Sequence, residues 1–281
     1  MSKDVTVPDP ATASAAIAGG AASSGFEWSP PDGDSYSDPM PDLRGDWATQ
    51  AFVRGSLFLN RKKVRVKSGL EHIQPAKDPF VLVSNHSQRV EAVLLPAILF
   101  YHRGGKRVHF MADWPMMLVP GVGLMYRCAQ VIPVFTKSAK PPVLNRLKRF
   151  YEKPGTVWER AGSLLENGQS VGVFPEGTIN RNPKRLLRGR MGAAQLAFDN
   201  KIPVVPVGIR FPQHQDADSI PDGAPMDVEI GAPIDPPTAS SDEADRKRAA
   251  RGFQADIMGR ISSLSGKAWT PSAPRRKNQW D

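Results

Sequence analysis

Residues 80–102 read FVLVSNHSQRVEAVLLPAILFYH, which is a short apolar run, a polar turn and then a longer apolar segment. The run at 80–85 has the length and the β-branched content of a strand. The segment near 90–101 is long enough to form a helix. A strand that leads directly into a helix is typical of an α/β protein.

The same alternation continues on both sides of this stretch. Strand-like runs occur at 64–66, 107–111 and 130–135, from residue 170, and at 202–209. Helical patterns occupy 156–168, about 188–199 and, near the end of the chain, 239–265. The nearly continuous apolar run at 202–209 is typical of a strand that is buried on both faces. We therefore predict an α/β fold with one domain, in which a central, mostly parallel or mixed β-sheet is flanked by helices.

The two ends of the chain differ from this body in composition. Residues 1–46 are rich in Ala, Gly, Ser, Pro and Asp, which predicts a disordered acidic tail, and residues 266–281 read as a disordered basic tail. The domain is therefore expected at 47–265. The first 46 residues carry two basic and eight acidic side chains in a chain of net charge +9, so the remainder carries +15. Such a charge indicates an anionic partner: nucleic acid, a bilayer surface or a phosphorylated small molecule.

Several features bear on the location of the protein. The start MSKDVTVPDP lacks the positive region of a secretory signal, so we do not expect secretion. The single cysteine, Cys128, is expected to be a buried thiol in a reducing cytoplasm. Residues 47–62 combine aromatic with basic side chains, which is typical of an interfacial helix on anionic lipid, although a packed helix is the alternative. The apolar stretches 90–101 and 114–126 fit a lipid-facing groove, a leaflet contact or simple core burial equally well.

His86 and Glu91 follow the first strand and have the chemistry of a base and its supporting acid. A histidine at a helix N-terminus is favoured as neutral imidazole, and a carboxylate one turn later can hydrogen-bond its other ring nitrogen. No GxSxG motif is present, so the hydroxyl to be activated is expected to belong to a substrate. Taken alone, the pair is a weak signal, since a hydrogen-bonded turn histidine explains it as well.

The second polar stretch, VFPEGTINRNPKRLLRGR at 173–190, follows another strand. Gly177 permits close backbone approach to a ligand, Thr178 offers a hydroxyl, and a guanidinium such as that of Arg181 matches a phosphate with two hydrogen bonds. A solvated basic loop is the alternative explanation. We favour the first interpretation and predict that this stretch binds an anion.

In this order the motifs resemble those of the glycerolipid acyltransferase family typified by 1-acylglycerol-3-phosphate acyltransferases, over residues 60 to 235. The family's Asn-His-x4-Asp motif is matched by NHSQRVE at 85–91, its Phe-Pro-Glu-Gly-Thr motif by residues 174–178, and its Val-Pro-Val run by residues 204–207. The resemblance implies that His86 is the catalytic base and Glu91 its orienting acid. It also implies a set of substrate-binding residues: Asn85, Glu176, Gly177, Thr178, Arg181, Lys137 and Arg190.

The chain departs from the family pattern at four positions. Glu91 replaces the usual Asp, and Ile179 stands where the second of these motifs has an Arg. Thr136, with Lys137 beside it, occupies another Arg position, and Asp113 occupies or adjoins a position that usually holds Lys. The departures at Ile179, Thr136 and Asp113 alter the expected phosphate contacts. The side chain of Glu91 is one methylene longer than that of Asp, which changes where its carboxylate lies.

The resemblance implies an O-acyltransferase of phospholipid biosynthesis. It is expected to move a fatty acyl group from acyl-CoA or acyl-ACP to a lysophospholipid hydroxyl, with 1-acyl-sn-glycerol-3-phosphate as acceptor and phosphatidic acid as product. No metal and no cofactor besides the thioester co-substrate are expected, and no nucleic acid. Peripheral or monotopic contact with an anionic membrane, at its cytoplasmic face, is expected. Another lipid or glycolipid acceptor, and a non-catalytic lipid- or anion-binding homologue, are the alternatives.

Overall fold

The computed structural model describes residues 40–152, 154–238 and 242–273. Its architecture is α/β, and the predicted fold class is confirmed. Seven strands form one sheet in the order β1-β7-β6-β2-β5-β3-β4, in which every neighbouring pair is parallel except β6 with β7. Their bounds are β1 Val64–Ser68, β2 Val81–Ser84, β3 Val108–Asp113, β4 Ile132–Val134, β5 Ser170–Val173, β6 Val204–Arg210 and β7 Met226–Ile230.

Helices cover both faces of this sheet. Alternate residues of β2 point to opposite faces: Leu82 belongs to one buried cluster, and Val81 and Val83 belong to the other. The cluster around Leu82 is closed by α1 Trp47–Asn60, α2 Glu91–His102 and α3 Val122–Cys128. The opposite cluster is closed by α4 Val157–Glu166, α5 Gly192–Asn200 and α6 Glu243–Ser265. Short 3-10 turns occupy Pro41–Leu43, Leu70–Ile73, Pro75–Lys77, Trp114–Leu118, Pro142–Phe150 and Pro212–His214.

One edge of the sheet collects the polar segments that follow the strands. Because β2, β3, β4 and β5 are mutually parallel, their carboxyl ends lie at the same edge of the sheet, the carboxyl edge. β7 is antiparallel to β6 and parallel to β1, so β1 enters the sheet at this same edge. The end of α1, which immediately precedes β1, therefore also lies there. In open α/β sheets, ligands bind outside the carboxyl ends of parallel strands.

Element boundaries differ from expectation in one informative place. The helix expected at about 188–199 begins only at Gly192. Gly189 has φ +75°, and a Cβ there would lie 2.8 Å from the sulfur of Met258 on α6. The backbone at this glycine is therefore left-handed and pressed against α6, so a helix does not form until the chain has passed it.

Both expected tail boundaries are wrong. Met40 and Leu43 are buried in the core, and the backbone N–H of Asp42 donates to the carbonyl of Gly104, so the packed chain includes residues 40–46. At the other end, Lys267 is buried and Ala268 forms a bridge with Arg185. A few anchoring contacts hold these segments, although their composition is typical of tails. The expectations for residues 1–39 and 274–281 lie outside the described residues.

The two apolar stretches have different environments. Most of α2 is buried, so core burial explains residues 90–101. In 114–126, Trp114 and Met125 are buried, whereas Met116 and Leu124 are exposed. α1 packs through its buried face, as a packed helix would, but also carries exposed apolar side chains. In the described part of the chain, no helix has the length and hydropathy to cross a bilayer. Cys128 is buried, as predicted.

Candidate active site

His86 and Glu91 form a direct hydrogen bond at the carboxyl edge. β2 ends at Ser84, and Glu91 is the first residue of α2, so the intervening turn brings the two side chains together. Nδ1 of His86 lies 2.7 Å from Oε2 of Glu91, and the same oxygen accepts the backbone N–H of Ser87 at 2.7 Å. The side chain of Glu91 is 0% exposed and that of His86 is 13% exposed. A buried acid and a partly accessible base are thus paired.

The position of α2 corrects one detail of the sequence interpretation. The sequence predicts His86 at the helix N-terminus, but Glu91, five positions later, occupies the first helical position instead. The partial positive charge of the helix N-terminus therefore lies next to the carboxylate and not next to the imidazole. The carboxylate in turn orients the imidazole. The turn that allows this contact is held by the Ser87 N–H bond.

The imidazole of His86 is fixed on its face as well as at Nδ1. Its ring stacks on that of Phe174 with centroids 4.4 Å apart, and Phe174 in turn contacts Phe110. The bond to a carboxylate assigns the proton to Nδ1, so Nε2 carries a lone pair. Within the described segments, no hydrogen-bond partner reaches Nε2. The geometry leaves this nitrogen to accept a proton from a ligand.

Glu176 joins the second motif to the first. Its Oε1 accepts the backbone N–H of His86 at 3.3 Å, and its Oε2 accepts Nδ2 of Asn180 at 2.7 Å and the N–H of Leu187 at 2.9 Å. The N–H of Asn180 donates to the carbonyl of His86 at 2.7 Å. Glu176 is 2% exposed, and its burial raises the pKa of the carboxyl, against the hydrogen bonds and the charge of Lys267. Both carboxylate oxygens accept hydrogen bonds from the protein, so Glu176 organises the site, in contrast to the substrate contact expected from the sequence.

Asn85 also faces the protein interior. Its Oδ1 accepts the N–H of Ile209 at 2.7 Å, and its Nδ2 donates to the carbonyl of the same residue at 3.0 Å. Asn85 is buried, and these bonds tie the end of β2 to β6, the strand that contains the Val-Pro-Val run. The expected substrate contact of Asn85 is therefore replaced by a scaffolding role.

Gly177, Thr178 and Arg190 form the accessible part of the second motif. Gly177 has φ +65°, and a Cβ there would lie 2.8 Å from Nε of Arg190, so only glycine allows the guanidinium to lie over this turn. The N–H of Arg190 donates to the carbonyl of Pro175 at 2.8 Å, which fixes its backbone. Arg190 is exposed, and the described residues include no ion-pair partner for it. These three residues keep the geometry expected of ligand contacts.

Arg181 and Lys137 are each paired with a carboxylate. Arg181 donates to Asp222 and to the carbonyl of Ile220, both at 2.7 Å. Hydrogen bonds, the first from the N–H of Arg89 and another from Arg181, lower the pKa of Asp222. Lys137, which lies beside the departure at Thr136, forms a short ion pair with Asp113, which is another of the departures. An anion that binds either cation has to compete with these carboxylates.

Sequence reasoning missed Ser87, Asp222 and Lys267. Lys267 lies just after α6, within the expected tail, and its Nζ donates to Oγ of Ser87 at 2.6 Å. A lysine in a basic stretch gives no local signal that it is buried. Asp222 lies in a loop with ordinary turn composition. Only the three-dimensional contacts identify them. Among the residues that the structure covers, no cluster of three or more metal-ligating side chains occurs.

Comparison with known proteins adds to this geometry. A family model described as Acyltransferase matches residues 63–210. The 1-acyl-sn-glycerol-3-phosphate acyltransferase alpha of Homo sapiens is 30% identical over 144 residues, which cover 51% of this chain and 45% of that protein. The 1-acyl-sn-glycerol-3-phosphate acyltransferase of Bacillus subtilis (strain 168) is 27% identical over 139 residues, 49% of this chain and 59% of that one. The chain thus spans about half the length of the curated relatives it matches.

A solved structure has a similar fold. The crystal structure of the 1-acyl-sn-glycerophosphate (LPA) acyltransferase PlsC from Thermotoga maritima matches with a TM-score of 0.51 and 20% identity, over 82% of this chain and 84% of that one. At this identity, the likeness concerns the fold. The resemblance inferred from the motifs is confirmed by the sequence matches. Since the family model covers just over half of the 281 residues, this chain belongs to the acyltransferase family.

Proposed function

We propose that this protein is an O-acyltransferase that moves a fatty acyl group from acyl-CoA or acyl-ACP to the hydroxyl of a lysophospholipid. The proposed acceptor is 1-acyl-sn-glycerol-3-phosphate, and the product is phosphatidic acid. The observation that carries the proposal is the 2.7 Å contact between His86 and the buried Glu91, with Nε2 of the imidazole available to a ligand. The family membership and the names of the matched relatives support the same reaction class.

The proposed mechanism is direct transfer. Nε2 of His86 takes the proton of the acceptor hydroxyl while the oxygen attacks the thioester carbonyl carbon, which forms a tetrahedral intermediate. When the C–S bond breaks, the imidazolium returns the proton to the departing thiolate, and an ester and a thiol result. Glu91 stabilises the imidazolium between these steps. The reaction requires no acyl-enzyme and no cofactor besides the thioester co-substrate.

The acceptor phosphate is proposed to bind near Gly177, Thr178 and Arg190. The exposed guanidinium of Arg190 lies over the glycine turn, and a guanidinium suits a phosphate by charge and by shape. An acceptor without a phosphate, such as a glycolipid alcohol, is a second candidate. The pairing of Arg181 with Asp222 and of Lys137 with Asp113 favours it, because both cations already have carboxylate partners.

We further propose peripheral contact with the cytoplasmic face of an anionic membrane, and not with nucleic acid. Support comes from the end of α1, where Phe58 and Leu59 are exposed and Arg61, Lys62 and Lys63 follow. This end lies at the carboxyl edge. The Pro142–Phe150 turn follows the carboxyl end of β4, places Lys148 over the ring of Phe135, and exposes Val143 and Phe150. Apolar side chains flanked by cations suit an interface with anionic lipid. A lipid acceptor would then reach His86 from the membrane side.

The test is an acyl-transfer assay with radiolabelled acyl-CoA and acyl-ACP against a panel of acceptors: 1-acyl-sn-glycerol-3-phosphate, other lysophospholipids and glycolipid alcohols. We expect transfer by the wild type and none by His86→Ala, with His72→Ala, a histidine outside the site, as matched control. Undiminished transfer by a folded His86→Ala variant would remove this residue from the mechanism. No transfer by the wild type to any acceptor would favour a non-catalytic lipid- or anion-binding protein.

A further inference from the structure

Lys267 is a buried cation behind the catalytic pair. α6 ends at Ser265 and is capped by Gly266, which has φ +68°, and this left-handed residue turns the chain back into the protein. The next residues are held on both sides: Oγ of Ser262 donates to the carbonyl of Lys267 at 2.6 Å, and the N–H of Ala268 donates to the carbonyl of Lys184 at 2.8 Å. Lys267 is 2% exposed. The backbone after α6 thus places the ammonium group of Lys267 in the protein interior.

The ammonium of Lys267 connects to the catalytic pair through one residue. Its Nζ lies 2.6 Å from Oγ of Ser87 and 5.9 Å from the centroid of the Phe211 ring. The backbone N–H of Ser87 donates to Oε2 of Glu91, which is the oxygen that contacts His86. A chain of contacts therefore runs from Lys267 through Ser87 and Glu91 to the imidazole. Movement of the lysine would displace the acid that orients the base.

The buried carboxylates around His86 explain why a cation is needed beside the His86–Glu91 pair. The charged groups of this network, within the described chain, are Glu91 from α2, Glu176 from the second motif and Lys267. Both carboxylates are buried, and Oε1 of Glu91 has no hydrogen-bond partner among the described residues. Burial lowers the pKa of Lys267, while the charges of Glu176 and Glu91 oppose that shift. Buried charges are tolerated when they compensate one another.

We propose that Lys267 is a positioning residue for acyl transfer, which holds Ser87 and compensates the two buried carboxylates so that the imidazole of His86 is free to accept a proton. The inference rests on the proposed function and adds to it a requirement for the docked segment after α6. Without the ammonium, two uncompensated carboxylates favour the imidazolium, which cannot act as a base. Lys267 is buried behind Ser87 and contacts the site through it, so acceptor affinity should change little.

The experiment compares Lys267→Met, which removes the charge, and Lys267→Gln, which keeps a hydrogen-bond donor for Ser87. Lys184→Met, a lysine exposed in the neighbouring loop, is the matched control. For both Lys267 variants we expect the acidic limb of the kcat/KM profile to move up by about one pH unit or more, and kcat at neutral pH to fall about tenfold or more. Acceptor KM should stay within about threefold of wild type, as expected for a group that acts through other residues.

A second readout does not depend on turnover. With ¹⁵N-labelled histidine, the NMR titration of His86, assigned by comparison with His86→Ala, should move to higher pH in both Lys267 variants and not in Lys184→Met. If either folded variant retains the wild-type pH profile and the wild-type His86 titration, the proposal is overturned, even where the other variant fails to fold. An inactive wild type whose His86 titration still responds to Lys267 would instead refute only the proposed function.

Discussion

Substitutions of Glu91 by Gln and by Asp test the negative charge and the length of this side chain separately. Glu91→Gln keeps an oxygen for the N–H of Ser87 and for Nδ1 of His86 but removes the negative charge 2.7 Å from the ring. Loss of one partner of a buried ion pair costs about 3–5 kcal/mol. At about 1.4 kcal/mol for each factor of ten, kcat should fall about 10²- to 10⁴-fold, because the ion pair exists only after proton transfer to His86.

Glu91→Asp keeps the charge but withdraws it by one carbon–carbon bond, about 1.5 Å. The contact with Nδ1 would lengthen from 2.7 Å to beyond hydrogen-bonding distance, because α2 is packed in the core and cannot follow. A displacement of this size costs about 10²-fold in rate. Single-turnover and steady-state acyl transfer with varied acceptor would measure both variants, with exposed Glu166→Gln as control. A kcat within threefold of wild type, together with a raised acceptor KM, would show that Glu91 acts on the substrate and refute this reasoning.

Two further outcomes are expected. The folded-state pKa of Asp222 is lowered below its ordinary value of 3.8, so this carboxylate stabilises the fold above that pH and loses its contribution as pH falls through the lower value. Thermal unfolding should therefore show Asp222→Asn less stable than wild type at pH 6, with the difference shrinking as the pH falls below 3.8; a constant difference would contradict the assignment. Leu59→Ser should weaken binding to phosphatidic acid vesicles, measured by cosedimentation, about tenfold or more, whereas Trp47→Ser should not. Both side chains are 78% exposed but lie at opposite ends of α1, so equal effects would disprove docking at the carboxyl edge.

Local sequence determined the fold class and the pairing of His86 with Glu91. The apolar run before Asn85 and the helical segment after Glu91 specify a strand, a turn and a helix, and these elements lie within about twenty residues of one another. Because His86 and Glu91 are five positions apart across that turn, their contact needs only the turn to close. The pattern of residue types was sufficient to predict it.

Tertiary structure decided what most of the other motif residues do. Asn85 contacts Ile209, which is 124 positions away, and Glu176 contacts His86 from 90 positions away. The direction of each side chain depends on a strand or turn that is distant in sequence and is therefore absent from the local pattern. Asn85 and Glu176 therefore became supports of the site, although their residue types are equally suited to binding a ligand.

The segments 40–46 and 266–273 also show that local sequence does not predict contacts between distant segments. Composition reports the average tendency of a segment to fold, and residues 40–46 and 266–273 share the composition of the tails beyond them. Their order arises from a few particular contacts, such as Leu43 in the core and Lys267 on Ser87, across 180 positions. Contacts between segments so distant in sequence form only when the sheet has brought them together, which is why the buried lysine could be found in the structure alone.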